Sequence, residues 1–479
     1  MPHFLAIDQG TSGTKAVVVD DAGRTVSIAE VPVRPAYLAG GGVEQDPEAL
    51  FDSVVTAGRQ ALARSGVAVA AVALANQGET VLGWDRGTGQ PLTPAVVWQD
   101  RRAESICTPL AASADTVAQR TGLVLDPYFS APKMAWIRAN MTTDGVVTTT
   151  DTWLVHRLCG AFVTDASTAS RSLLMALDSV EWDEFLVGLF GLADETLPEI
   201  VDCDQIVGST DVFGPTIPVA GLIVDQQAAL LAESCLDPGQ GKATFGTGAF
   251  LLAQLGGKPT RSTSGLTTSV AWRLRDLTSY CVDGQVYTAA SAVRWAIDLG
   301  LLGAADEIDS TAAASSDGVL CVPALAGLAA PWWDAAATAS LTGMTLSTGR
   351  GHLVRALVEG IAAQVAALVN LVGTDLSQPL TRLRVDGGLT RSAVLMQAQA
   401  DLARIPVDVY PSPHATALGA AACARLALDP SLEVADAVGA WTPQHTYQPE
   451  WSADRTAAFL SAWMQAAESV LTQKERSIS

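Results

Sequence analysis

The sequence predicts an α/β protein of two domains. Its 479 residues, 49% hydrophobic and only 16% charged, are several times what one core needs. Short apolar strand runs and stretches with helical spacing are mixed along the whole chain. A strand, a Gly/Thr-rich turn and a second strand open the chain, and the same theme returns after Asp237-Pro238-Gly239-Gln240-Gly241. That run of turn residues is the expected boundary, between residues 1–236 and 237–479.

The elements follow in order. Phe4 to Ile7 is an apolar run ending in Asp8, with Gly10, Gly13 and hydroxyl residues after it; Ala16 to Val19 is the next run. Asp20 to Gly23 is a turn into a third strand over Thr25 to Val33, which completes an antiparallel meander. Asp46-Pro47-Glu48 starts a helix: Asp accepts from free N–H groups, Pro suits the first position, and an acid complements the helix dipole. Leu50, Phe51, Val54, Val55, Ala61 and Leu62 continue it at helical spacing. Val69 to Leu74 reads as a buried strand, Ala95 to Trp98 as a strand after the Asp85–Gly89 turn, and Arg101 to Ala112 as a helix. Val219 to Val224 is a strand ending in Asp225, with a helix following through Leu231. Beyond the boundary, Ala243 to Gln254 is strand, Gly-Thr-Gly turn, strand. Leu353 to Val372 is a long helix, and Leu383 to Val385 is a strand ending in Asp386-Gly387-Gly388. The alanine-rich tail after Leu426 predicts helix, frayed near Ser479.

Charge narrows the function classes. Asp+Glu total 50 against Lys+Arg 29, a net of −21 at pH 7. Such a field repels phosphate backbones and anionic lipid, so nucleic acid and membrane surfaces are disfavoured partners. The seven cysteines include no C-x-x-C pair, and the five histidines have no metal-ligand spacing. The N-terminus has no basic region, and Asp8 interrupts its apolar run. Val67 to Ala75 is too short to span a bilayer. These features predict a soluble, cytoplasmic protein without membrane insertion.

Four constellations are candidates for chemistry. Asp8-Gln9-Gly10-Thr11-Ser12-Gly13-Thr14-Lys15 offers backbone N–H groups, hydroxyls and one cation to an anion, with Asp8 able to hold Mg²⁺ beside it; a plain hairpin with a polar turn also accounts for it. Thr244 to Gly248 is a second such turn, open to both readings, with glycines that permit close backbone approach. Asp386 to Ser392 is a strand-to-helix turn in which Gly388 leaves a flat surface for a purine ring, or simply starts a helix. Asp225-Gln226 ends a buried strand, where a carboxylate is either a rigid general base or a helix N-cap. Trp98, Tyr128 and Phe250 are either pocket walls or core. Gly241-Lys242 is no P-loop, because Leu236 holds the leading glycine position and Ala243 the Ser/Thr position.

Taken together, these segments resemble the FGGY carbohydrate kinase family, and within it most resemble glycerol kinases. The resemblance rests on the opening Asp-Gln-Gly-Thr-Ser, Asn76-Gln77-Gly78-Glu79-Thr80, Val97 to Arg102, Thr121 to Ser130 and Asp225 to Ala229. It continues through Gly246-Thr247-Gly248, Ser340 to Glu359, Val385 to Gly388 and Thr416 to Ala421. It is collinear from Phe4 to about Leu426.

The resemblance implies two actin/hexokinase-like (ribonuclease H-like) domains with a cleft between them. It implies ATP-dependent phosphorylation of a terminal hydroxyl of glycerol or a related small polyol. A ketopentose or tetritol substrate, such as xylulose, ribulose or erythritol, is the alternative, and a catalytically weak nucleotide-binding regulator is a further one. By resemblance Asp225 is the general base, and Glu79, Trp98, Tyr128, Gln226 and Phe250 complete the substrate site. Thr11, Ser12, Gly13, Lys15, Thr247, Ala290, Arg294, Gly388 and Ser392 take the nucleotide positions, with Asp8 serving Mg²⁺. The implied partners are ATP, Mg²⁺ and a small polyol or sugar; a homo-oligomer is left open, since family members vary.

The sequence departs from glycerol kinases at named places. Gly78 stands where they have arginine, which removes a planar donor fork and opens space. Lys15 also replaces an arginine, and Ala290 and Arg294 replace a glycine and a glutamine. Gly214-Pro215-Thr216 lacks the arginine with which some bacterial glycerol kinases bind fructose bisphosphate.

Overall fold

The computed structural model describes residues 2–375 and 379–472; the expected frayed end near Ser479 lies outside them. Two sheets of like plan carry the fold. In the first, His3–Gly10 (β1), Gly13–Asp20 (β2) and Thr25–Pro32 (β3) form the antiparallel meander. Ala71–Asn76 (β4) lies parallel to β1 on its other side. Ile206–Thr210 (β5) closes the edge, antiparallel to Ile217–Val224 (β6), which runs parallel to β4.

The second sheet repeats this. Gly241–Phe245 (β7) and Ala249–Gly256 (β8) form the hairpin, and Thr267–Leu274 (β9) and Leu277–Val286 (β10) extend it antiparallel. Leu383–Asp386 (β11) runs parallel to β7, and Val407–Val409 (β12) parallel to β11. His445–Tyr447 (β13) is the antiparallel edge. In each sheet the first strand of the hairpin is therefore central, and its turn projects from the strand's end.

Helices cover the sheets. Pro47–Ser65 (α1) starts as expected, with the Asp46 carboxylate accepting from the Glu48 N–H. It buries Leu50, Val54, Ala57 and Ala61 on the first sheet. Asp225–Ala232 (α2) leaves β6 directly. Arg350–Asp375 (α3) is long and apolar enough to cross a bilayer, but its most apolar stretch is 78% buried in the core beside the second sheet. Ala415–Leu428 (α4) follows the Asp237–Gly241 break in sequence, yet its Ala417, Ala420 and Ala421 pack with Phe4, Ala6 and Ala73 of the first sheet. A Cβ at Gly419 would stand 1.9 Å from the Ala228 carbonyl oxygen, so glycine alone lets α4 press on α2. That contact seats the helix that begins at Asp225.

Some elements differ from expectation. The helix over Arg101 to Ala112 is broken into Glu104–Cys107 and a 3₁₀ segment Thr108–Ser113, because Pro109 has no N–H to continue an α-helix. The strand expected over Val69 to Leu74 is shifted to Ala71–Asn76, where pairing with β1 carries it past the apolar run to a polar residue. The tail is not one helix: α4 ends near where it was expected to begin, a short helix Val434–Val438 and then β13 follow, and Ala453–Ser469 is the last described helix.

Candidate active site

The two hairpin turns face one cavity of about 270 Å³. Thr11 and Ser12 form the tip between the paired Gly10 and Gly13. A Cβ on Gly13 would lie 2.8 Å from the Val31 carbonyl oxygen, so a side chain there would push the turn off β3. The Gln45 amide donates to the Thr11 carbonyl at 2.7 Å, and the Val33 N–H donates to the Ser12 carbonyl at 3.1 Å. Asp8 and Lys15 are cross-strand partners below this turn, and both line the cavity. Thr247 reaches it from the opposite turn, whose carbonyl oxygens at Gly246 and Thr247 accept from the N–H groups of Ala290, Ala289 and Ser291.

The other end of the cavity is walled by Trp98, Tyr128 and Phe250, with Glu79, Asp225 and Gln226 beside them. The Trp98 ring meets Tyr128 and Phe250 edge-on, at centroid distances of 5.6 and 6.0 Å. Tyr128 is fixed from behind by Lys133, a buried ammonium that donates to the carbonyls of Pro127 (2.9 Å), Phe129 (2.6 Å) and Tyr128 itself. Burial pulls the Lys133 ammonium down to about 7. Glu79 takes φ 59°, unusual for a residue with a Cβ, and Arg171 Nε donates to its carboxylate at 2.7 Å. Asp225 is the first residue of α2, whose N-cap is Val224. Its Oδ1 accepts from the Gln226 N–H at 2.7 Å, which leaves the carboxylate turned to the cavity rather than spent on capping.

Burial raises all three acids. Desolvation in the cleft lifts Asp225 to about 7, and Glu79 and Asp8 add to it while the Gln226 N–H opposes. Desolvation lifts Asp8 to about 6 against the pull of Lys15. Burial also raises Glu79, against Arg171. Such shifts cluster where groups are set for chemistry. The Asp8 carboxylate accepts no hydrogen bond among the described residues, and it shares the cavity with the hydroxyls of Thr11 and Ser12. An uncompensated carboxylate among hard oxygen donors fits Mg²⁺.

Residues 3–232 match the N-terminal domain of the FGGY family of carbohydrate kinases, and residues 241–428 match its C-terminal domain. The chain belongs to that family. A glycerol kinase of Aromatoleum aromaticum is 40% identical over 98% of both chains. The crystal structure of Plasmodium falciparum glycerol kinase with ADP superposes with a TM-score of 0.89 at 32% identity, over 99% of each chain. Xylulose kinase of Lactobacillus acidophilus shares the fold, with a TM-score of 0.87 at 20% identity over 98% of this chain and 98% of that one.

This FGGY kinase therefore has the two actin/hexokinase-like domains that the resemblance implied. The cavity brings together Asp8, Thr11, Ser12, Gly13, Lys15 and Thr247 with Glu79, Trp98, Tyr128, Asp225, Gln226 and Phe250. Ala290, Arg294, Gly388 and Ser392 do not line it. Ala290 sits against the Gly246 turn, and Arg294 is exposed further along the same helix. Gly388 is exposed, with nothing within 4 Å of a Cβ built on it. Ser392 caps the helix Ala393–Ala403, and its hydroxyl donates to Asp309 at 2.5 Å.

Two site residues were not foreseen. Arg171 lies far from the motifs in sequence, but its Nη1 reaches both oxygens of Asp283 at 2.9 and 3.0 Å while its Nε holds Glu79. It thus ties the first half of the chain to β10 of the second. Lys242, fully buried, donates to Gln226 Oε1 at 2.7 Å and Thr244 Oγ1 at 2.6 Å. Its failure as a P-loop lysine hid its use as a bridge between the two turns' domains. A buried lysine inside an apolar strand run is the signal that could have found it.

Proposed function

We propose that this kinase transfers the γ-phosphoryl group of ATP to a terminal hydroxyl of glycerol, giving glycerol 3-phosphate and ADP. The observation that carries this reading is Asp225, held on the cavity wall between two glycine turns and beside Glu79 and three aromatic rings. Its carboxylate accepts the hydroxyl proton as that oxygen attacks phosphorus. In such transfers positioning and charge stabilisation do most of the work. The aromatic wall keeps water from competing as acceptor. The names of the relatives support glycerol as the substrate.

Thr11, Ser12 and Gly13 offer N–H groups and hydroxyls to the phosphates, Lys15 adds a charge, and Thr247 meets them from the other turn. Mg²⁺ at Asp8, when bound, neutralises phosphate charge. Gly388 offers its bare face to the adenine, Ala290 sits against the Gly246 turn with Arg294 one helical turn further on, and Ser392 holds the Gly388 segment through Asp309. ATP as donor places this work in the cytoplasm.

Gly78 favours a second reading. It lines the cavity without a side chain at the position where the family resemblance expects an arginine, and because Val224 Cγ2 stands 2.9 Å from where a Cβ would lie, the acceptor end lacks that donor rather than gaining room; a ketopentose or tetritol is the alternative substrate. A panel of glycerol, erythritol, xylulose and ribulose, read as ADP release, tests both. Glycerol should give the highest kcat/KM. A pentulose or tetritol ahead of it assigns the second reading. Transfer to none of them, with ATP bound tightly, would make the chain a nucleotide-binding regulator and overturn both.

A further inference from the structure

Behind Asp225 the cleft continues into an inner chamber of about 20 Å³, bounded by Glu79, Asp225, Arg171, Asp283 and Gln285. That is room for about one water-sized group. Gln285, on β10, is 2% exposed. Its Nε2 donates to Asp283, and its Oε1 is buried with no hydrogen-bond partner among the described residues. The chemistry fixes this orientation. Asp283 also accepts from Arg171 Nη1 and from Thr267 Oγ1 at 2.7 Å, so only the amide's donor end can face it. Arg171 spends Nε on Glu79 and Nη1 on Asp283, while Nη2 makes no hydrogen bond among the described residues. Both residues line the same small chamber, one with an unspent buried acceptor and the other with an unspent donor. A hydroxyl is the group that satisfies both at once.

We propose that Gln285 and Arg171 bind the acceptor hydroxyl farthest from the one phosphorylated. They supply, from the far side of the site, the donor that Gly78 does not. This rests on the polyol-kinase reading above and names the part of the substrate that the chain selects. The hydroxyl of a terminal CH₂OH is the size of group the chamber holds and pairs with both groups. A methyl at that end leaves a buried amide oxygen and a guanidinium N–H unpaired, which a polar site rejects strongly.

The test compares glycerol with 1,2-propanediol, in which a methyl replaces the distal CH₂OH. Both are assayed with the wild-type chain, Gln285→Leu and Gln285→Met, with thermal melting and Mg·ATP binding as checks on folding. The wild type should favour glycerol strongly. Either variant should lower kcat/KM for glycerol by about 10- to 100-fold while changing that for propanediol by no more than about 3-fold. The melting shift induced by glycerol should shrink in parallel. The second variant serves if the first does not fold. Equal loss for both substrates, or no loss for either, overturns the inference and assigns the chamber to a water. Wild-type transfer to neither diol nor triol overturns the kinase reading as well, so the two failures are told apart.

Discussion

The indole N–H of Trp98 donates to the hydroxyl of Thr11 at 2.9 Å. One bond thus joins the aromatic wall of the cavity to the tip of the first glycine turn. Trp98→Phe keeps a ring against Tyr128 and Phe250 but removes the donor. We expect kcat to fall about 3- to 10-fold, with KM rising for ATP as well as for glycerol. Steady-state kinetics with each substrate varied checks this. A change confined to glycerol KM would mean that the wall and the turn act separately.

The pH profile should follow Asp225. A base at about 7 must be ionised to accept a proton, so kcat/KM should fall roughly tenfold per pH unit below pH 7. The stability sign runs the other way. Asp225 binds its proton more tightly folded than unfolded, so between about pH 4 and pH 7 the folded state holds the extra proton. Its stability contribution declines as pH rises through that window. Asp225→Asn should therefore raise Tm more at pH 8 than at pH 5. A larger gain at pH 5 would contradict the raised value.

The second turn depends on Gly248. A Cβ there would lie 2.4 Å from the Val286 carbonyl oxygen, whereas one on Gly246 would meet nothing nearer than the Gly248 carbonyl oxygen at 3.9 Å. Gly248→Ala should lower Tm by several degrees, consistent with a shift of about 1–3 kcal/mol from overpacking. Gly246→Ala should leave Tm within about 2 °C. Thermal melts of the two variants side by side decide it.

Much of this was legible in the sequence because it is local. The Asp46-Pro47 helix start, the Gly10–Gly13 turn and the strand ending at Asp225 are each set by a few adjacent residues, and the structure has them at those places. Ordered motifs then brought distant pieces of one cleft together. What stayed hidden is non-local. Arg171 and Asp283 meet only because the segment after Asp165 packs against β9 of the second sheet, beside β10, and nothing in either neighbourhood points to the other. The edge strand His445–Tyr447 is three residues long and has no apolar alternation, so pairing with β12 alone defines it. The placement of α4 on the first sheet depends on Gly419 and Gly221 letting backbones approach, which reads in sequence only as small residues.

The central claim is that Asp225 takes the acceptor's proton. Asp225→Asn keeps the shape of the side chain and removes the base. With folding and ATP binding confirmed, its kcat for glycerol phosphorylation should fall by at least about 100-fold. A variant that still transfers phosphate within a few-fold of the wild-type rate would contradict the account.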